Sequence, residues 1–162
     1  MASNLMSSDY SANKIYKHSG FSSTITDSFS TGYAYGGGLT WDGTDLYAIE
    51  TGSKCYKYSG FSSTITDSFN SGKGATAYGA TIDANGNFYH SGYTDAKVWK
   101  FSGFSSSITD SFSTPSAYPS AVTWDGTDIY TADVVVNKLS EHRDNVQKVR
   151  QPDKPKTNPR KD

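Results

Sequence analysis

A chain of 162 residues, 35% hydrophobic and 19% charged, has room for one core and not for two of ordinary size. A single cysteine, Cys55, excludes an intrachain disulfide, and no apolar run approaches the roughly twenty residues that cross a bilayer. The formal net charge of -1 divides unevenly: residues 1–142 carry 8 Lys/Arg against 13 Asp/Glu and residues 143–162 carry 7 against 3, so an acidic body bears a basic tail.

Residues 1–10 show neither the basic nor the apolar stretch of a secretory signal, so the expected location is cytoplasmic or unassigned, with no membrane segment. The first predicted strand, 5–9, aligns with the later Ile129-Tyr-Thr-Ala-Asp133. A phrase then opens at His18, Ser-Gly-Phe-Ser-Ser-Thr-Ile-Thr-Asp-Ser-Phe29, that returns after Tyr58 and, with one Ser for Thr, after Phe101, at offsets of 40 and 43 residues. Between the copies lies a second repeated motif: Thr40-Trp-Asp-Gly-Thr-Asp-Leu-Tyr47, Thr81-Ile-Asp-Ala-Asn-Gly-Asn-Phe-Tyr89 and Thr123-Trp-Asp-Gly-Thr-Asp-Ile-Tyr130. Two interleaved motifs on one period near 42 residues indicate a repeat architecture.

Within a period the polarity alternates on both sides of an Asp-Gly-containing turn, as a hairpin requires. The second unit contains strands at 39–41, 45–49, 54–58 and 65–69, the third at 80–82, 87–91, 97–101 and 108–112. The fourth contains 121–124, 129–133 and 138–140 and then loses the pattern, while the first lacks its innermost strand. Four short antiparallel strands per period make a β-propeller blade. The expectation is an all-β chain of about three and a half blades, at 5–29, 38–69, 79–112 and 120–142 onward, followed by a basic tail, 143–162, with an outer strand at 145–150. Because three and a half blades leave strand edges unpaired, self-association into a closed ring is expected, a homodimer first, with a four-bladed monomer closed by its tail or a fragment as alternatives.

The segments Pro119-Ser-Ala-Val-Thr-Trp-Asp-Gly-Thr-Asp-Ile-Tyr-Thr-Ala-Asp133 and Asn137-Lys-Leu139, with the parallel Asp9-Tyr-Ser-Ala-Asn-Lys-Ile15, resemble the blade pattern of the NHL-repeat, streptogramin-lyase-like and TolB-like propellers. The resemblance covers most of 5–140 and implies blade architecture; the families include enzymes and protein- and RNA-binding modules. It also implies that a lyase would use a histidine near the axis, for which His90 is the candidate.

Chemistry-bearing residues mostly read as structural. His18 and His142 stand where other units carry Tyr58 and Phe101, and Cys55 stands where they carry Ile15, Val98 and Leu139. Asp42, Asp83 and Asp125 suit turn amides, Asp9, Glu50 and Asp133 close the second strand before a bend, and Trp41 and Trp124 are expected to support the blade core. No metal-ligand spacing and no nucleophile with a paired base is present, so the reading is a non-enzymatic scaffold or binding module with no catalytic residue, metal or cofactor. A binding face is expected where the loops before each innermost strand vary, with Tyr33, Tyr35, Tyr78 and Tyr118 as candidate contacts for a glycan or protein, although Tyr35, Tyr78 and Tyr118 also suit packing between blades. The alternatives are an oligomeric propeller lectin and a lyase or hydrolase using His90; nucleic acid is not an expected partner, since the basic tail lacks stacking aromatics.

Overall fold

The computed structural model describes residues 5–32, 37–50, 52–74, 76–115, 117–134, 138–143 and 146–150. They form fifteen strands in four antiparallel sheets, which are the blades of a partial β-propeller. Blade 1 has three strands, β1 (Leu5–Asp9), β2 (Lys14–His18) and β3 (Ile25–Ser30). Blade 2 is β4 (Leu39–Trp41), β5 (Leu46–Ile49), β6 (Lys54–Tyr58) and β7 (Ile65–Asn70), and blade 3 is β8 (Ala77–Ile82), β9 (Phe88–Gly92), β10 (Lys97–Phe101) and β11 (Ile108–Ser113). Blade 4 is β12 (Pro119–Trp124), β13 (Ile129–Asp133), β14 (Lys138–Arg143) and β15 (Val146–Arg150). Each sheet is paired in sequence order, so the first strand of each full blade, β4, β8 and β12, is its inner edge.

These inner strands approach closely because glycine stands at the crossing points. A Cβ on Gly38 would strike the Ala80 amide nitrogen, and one on Gly79 would strike the Val122 nitrogen and lie 2.7 Å from the Ala121 Cα. Farther out, blades stack through apolar layers. Ile15 of blade 1 packs with Leu46, Ala48 and Tyr58 of blade 2, whose other face carries Tyr47, Ile49 and Cys55 to Ala80, Phe88 and Phe101 of blade 3. Blade 3 then meets blade 4 through Tyr89, Val98 and Val122. The strand period of two puts alternate residues of each central strand into the two interblade layers.

The repeated Ser-Gly-Phe phrase has a distinct task. It turns the third strand into the fourth and drops its phenylalanine onto the preceding blade: Phe61 packs on Phe29 at 5.1 Å, and Phe104 on Phe69 at 4.9 Å and Tyr47 at 5.1 Å. Phe21, the same residue of the same phrase in blade 1, is 99% exposed.

The tryptophans depart from expectation. Ile82, between two inner strands, is 8% exposed, whereas Trp41 at the equivalent position is 38% exposed and Trp124 is half-buried. Blade 1 presents no inner strand beside Trp41 among the described residues, so the indole borders an open groove with Leu5, Met6 and Leu39 in place of a sealed core. Cys55, by contrast, is fully buried, and burial pushes its thiol pKa up, with Glu50 adding to the shift. No helix among the described residues is long and apolar enough to cross a membrane.

Candidate functional site

Sequential antiparallel pairing places the connections of every blade at two opposite ends. One end collects the turns between first and second strands and between third and fourth strands. The other end collects the second-to-third-strand bends and the linkers that lead into the next blade.

The turn end is built by the repeated aspartates. Asp42 Oδ1 accepts from the amides of Thr44 and Asp45 at 2.8 and 2.7 Å, while its Oδ2 accepts the Tyr47 hydroxyl at 2.7 Å. Asp83 does the same with the amides of Asn85 and Asn87 and the Tyr89 hydroxyl, each at 2.9 Å, and Asp125 takes the amides of Thr127 and Asp128 at 2.9 Å. Burial pulls the Asp42 pKa up, but the Asp45 amide, the Tyr47 hydroxyl and the Thr44 amide outweigh it and the net shift is down. Burial and Asp42 together push Tyr47 up to about 12. These carboxylates are engaged by the turns that they enter.

The loop end differs from blade to blade. Tyr78 at the start of blade 3 makes an edge contact at 5.2 Å with Tyr93, whose ring in turn lies 4.7 Å from Tyr118 at the entrance to blade 4. Tyr118 is 38% exposed and the other two rings are half-buried, so the row joins the blades with its inner parts and shows its outer parts to solvent. The Tyr118 amide donates to Asp133 Oδ2 at 3.0 Å, and the Tyr93 amide donates to the Thr76 carbonyl at 2.9 Å, so the middle and one end of the row are tied down through their own amides. Tyr33 and Tyr35 lie outside the described residues. Tyr93, which joins the two tyrosines read from the sequence, carried only a weak signal: it sits in the blade 3 bend at a place where the repeat itself is irregular.

Beside Tyr93 opens a shallow cleft of about 580 Å³, lined by Ser53, Asn70, Lys73, Thr94, Asp95 and Trp99 with glycines between them. Its rim is held by Ser53, whose hydroxyl donates to the Gly74 carbonyl and whose own carbonyl accepts the Ser71 amide at 3.0 Å. The Gly74 backbone runs against blade 3, where a Cβ would come 2.6 Å from Gly92 Cα. Lys73 and Lys97 each place their ammonium close to the Trp99 ring, at 5.0 and 5.1 Å from its centroid.

His90 is not at an open channel. It is fully buried, its ring stacks on Phe101 at 5.1 Å, and neither ring nitrogen has a hydrogen-bond partner of good geometry among the described residues. Burial pushes its pKa down to about 4 against weaker upward pulls from the Ser91 backbone and Asp95. His18 and His142 each meet a neighbouring-strand hydroxyl, Ser7 at 2.8 Å and Thr131 at 3.0 Å, and His142 also lies 4.2 Å from Phe112. Among the described residues no three His, Cys, Asp or Glu side chains converge as a metal site.

No family model matches the chain, and no curated protein matches its sequence. Solved structures match its fold. The WD40 repeats of RRP9 superpose with a TM-score of 0.70 at 14% identity, over 91% of this chain and 47% of that one. A streptogramin B lyase matches with a TM-score of 0.64 at 19% identity, over 91% and 50%, and the glutaminyl cyclase of Myxococcus xanthus with 0.69 at 16%, over 85% and 60%. The chain thus spans about half the length of the propellers it matches, and what the matches share is the β-propeller fold.

Proposed function

We propose that this propeller is a non-catalytic binding module whose ligand face is the loop end of blades 2 to 4. The observation that carries the reading is the Tyr78–Tyr93–Tyr118 row, partly open to solvent and flanked by a polar cleft on the same end. Rigid aromatic rings give contact area at a small entropy cost, and the cleft beside them supplies hydroxyl, amide and charged groups. A His90 lyase or hydrolase is disfavoured because the imidazole has no solvent contact through which to reach a substrate. Screening the full chain against immobilised oligosaccharides and against peptides tests the reading. Saturable binding that Tyr93→Ala or Tyr118→Ala weakens at least tenfold, and that Thr44→Ala at the opposite end leaves unchanged, is expected. Ligand binding indifferent to both tyrosines overturns it.

We also propose that two copies associate end to end to complete a ring. Phe21 supports this: its counterparts Phe61 and Phe104 are covered by a preceding blade, and Phe21 at 99% exposure is a finished contact element with nothing seated on it. The facing end of a second copy offers Leu139, itself 56% exposed, and Tyr130, the counterpart of the Tyr47 that receives Phe104. Light scattering should give twice the chain mass, reverting to one chain mass in Phe21→Ser. A single-chain mass at every concentration overturns the pairing and leaves the loop-face reading intact.

A further inference from the structure

The cleft beside Tyr93 is lined by one cation, Lys73, and one carboxylate, Asp95, and the Trp99 ring that walls it carries a second ammonium, Lys97, from outside the lining. Lys73, from the linker between blades 2 and 3, and Lys97, from the start of β10, converge on one indole, and neither has a carboxylate partner among the described residues, where Lys57–Asp45 is the ion pair found. The Lys-x-aromatic pattern of Lys97 and Trp99 repeats that of Lys54 and Tyr56, whose ammonium-to-ring distance is 5.1 Å, so this half belongs to the blade. Lys73 is the addition that turns a structural contact into a two-cation site. Ammonium groups at an aromatic ring gain from its quadrupole, and two of them at one ring, neither neutralised by a carboxylate, raise the local positive potential that draws an anion to Lys73. The Trp99 indole N–H is buried without a hydrogen-bond partner among the described residues, so the ring is presented to the cleft through its carbon face and not through this donor.

The rest of the lining narrows the ligand. Asn70 and Thr94 offer amide and hydroxyl groups, Asp95 is a carboxylate able to accept from hydroxyls, and the exposed glycines 52 and 72 leave the backbone approachable. An acidic peptide would set several carboxylates against Asp95 and find no apolar pocket for its side chains, whereas a sugar ring carrying one acidic substituent sets that group at Lys73 and its hydroxyls at Asp95, Asn70 and Thr94. We infer that the cleft lined by Lys73 and Trp99, with Lys97 at the same indole, binds the sulfate or carboxylate substituent of an acidic oligosaccharide, whose neighbouring rings extend onto the Tyr93 row. This rests on the loop end being the ligand face and adds the chemical class of the ligand.

The test uses the full chain carrying Trp41→Phe and Trp124→Phe, which leaves Trp99 as the sole tryptophan and its emission as the reporter. The probes are a sulfated tetrasaccharide, a uronate tetrasaccharide, a neutral tetrasaccharide of glucose and a tetra-glutamate peptide. At least one acidic saccharide should change Trp99 emission and bind at least tenfold more tightly than the neutral one, with an advantage that shrinks as salt rises; which of the two acts identifies the anion. Lys73→Ala with Lys97→Ala should remove that preference, leaving any neutral-sugar binding unchanged, and Tyr93→Ala should weaken both sugars. Equal binding of acidic and neutral sugars, insensitive to the lysines and lost in Tyr93→Ala, overturns the anion site while keeping the loop face. Tetra-glutamate binding as tightly as the saccharides overturns the saccharide assignment. No response to any probe, with the loop-face substitutions silent as well, overturns both.

Discussion

The two ends of the blades solve the same geometric problem differently. At the turn end, each aspartate that enters a turn satisfies two turn amides, and in blades 2 and 3 it also receives the hydroxyl of the tyrosine that follows; the arrangement recurs from blade to blade even though the blade 3 turn is one residue longer. At the loop end it is chiefly the backbone framework that repeats: Asn13, Ser53 and Ala96 all adopt positive φ, and their carbonyls accept the amides of Thr31, Ser71 and Thr114 at 3.0, 3.0 and 2.8 Å. Of the side chains mounted on that framework some recur, as the Thr31 and Ser71 hydroxyls do, while others, Lys73 among them, occur in one blade. Repetition marks where the scaffold is held together, and departure from repetition marks where a ligand face is free to be specialised.

That division breaks most severely at the axis, where scaffold demands are strictest. Gly79→Ala puts a methyl group into the backbone of β12, and a loss of about 3 kcal/mol or more is expected in urea unfolding, since neither strand can retreat without shifting a blade. A stability near wild type would mean that the inner strands are looser than their spacing implies.

Acid should expose His90 as a scaffold residue. Its folded pKa of about 4 lies below the 6.5 of the unfolded chain, so the unfolded state takes up the proton first and stability falls as pH drops from about 6.5 towards 4. Over that window the loss is about 3 kcal/mol, and it should be absent in His90→Phe, which keeps a ring against Phe101. A stability profile that His90→Phe leaves as steep as before would place the acid sensitivity elsewhere.

A turn aspartate should cost less. Asp42→Ala frees two turn amides that water can reach and leaves the Tyr47 hydroxyl without its acceptor, and a loss of about 1–2 kcal/mol is expected by thermal or urea unfolding, with ligand binding at the loop end unaffected. The smallest effect is a gain. Ala96 carries a φ of 52°, a conformation that penalises a Cβ, and Ala96→Gly should stabilise by about 0.5–1 kcal/mol. Destabilisation there would show that the Ala96 methyl packs more than its backbone strains.

The architecture was readable because it is periodic. Strands 54–58, 97–101 and 129–133 fall where alternation put them, while β8 begins at Ala77 and β12 at Pro119, ahead of the expected 80 and 121, because the inner strands extend into the linker with a register shift. Half of the candidate site was readable in the same way, through Tyr78 and Tyr118, which recur at one register. Tyr93, Lys73 and Trp99 were not, since a residue that appears in one blade carries no periodic signal and its meaning comes from which neighbour it meets.

Sequence alone determined the blade, its four strands and the turn aspartates, because each of these is set by neighbours within one period of the chain. Tertiary structure decided everything that depends on one blade meeting the next: the exposure of Trp41 beside an open groove and of Phe21 at an uncovered face, the burial of His90 against Phe101, and the meeting of Lys73 with Trp99. Local spacing fixes which residues share a strand face. What that face touches depends on stacking between repeats, and only the folded chain brings those surfaces together.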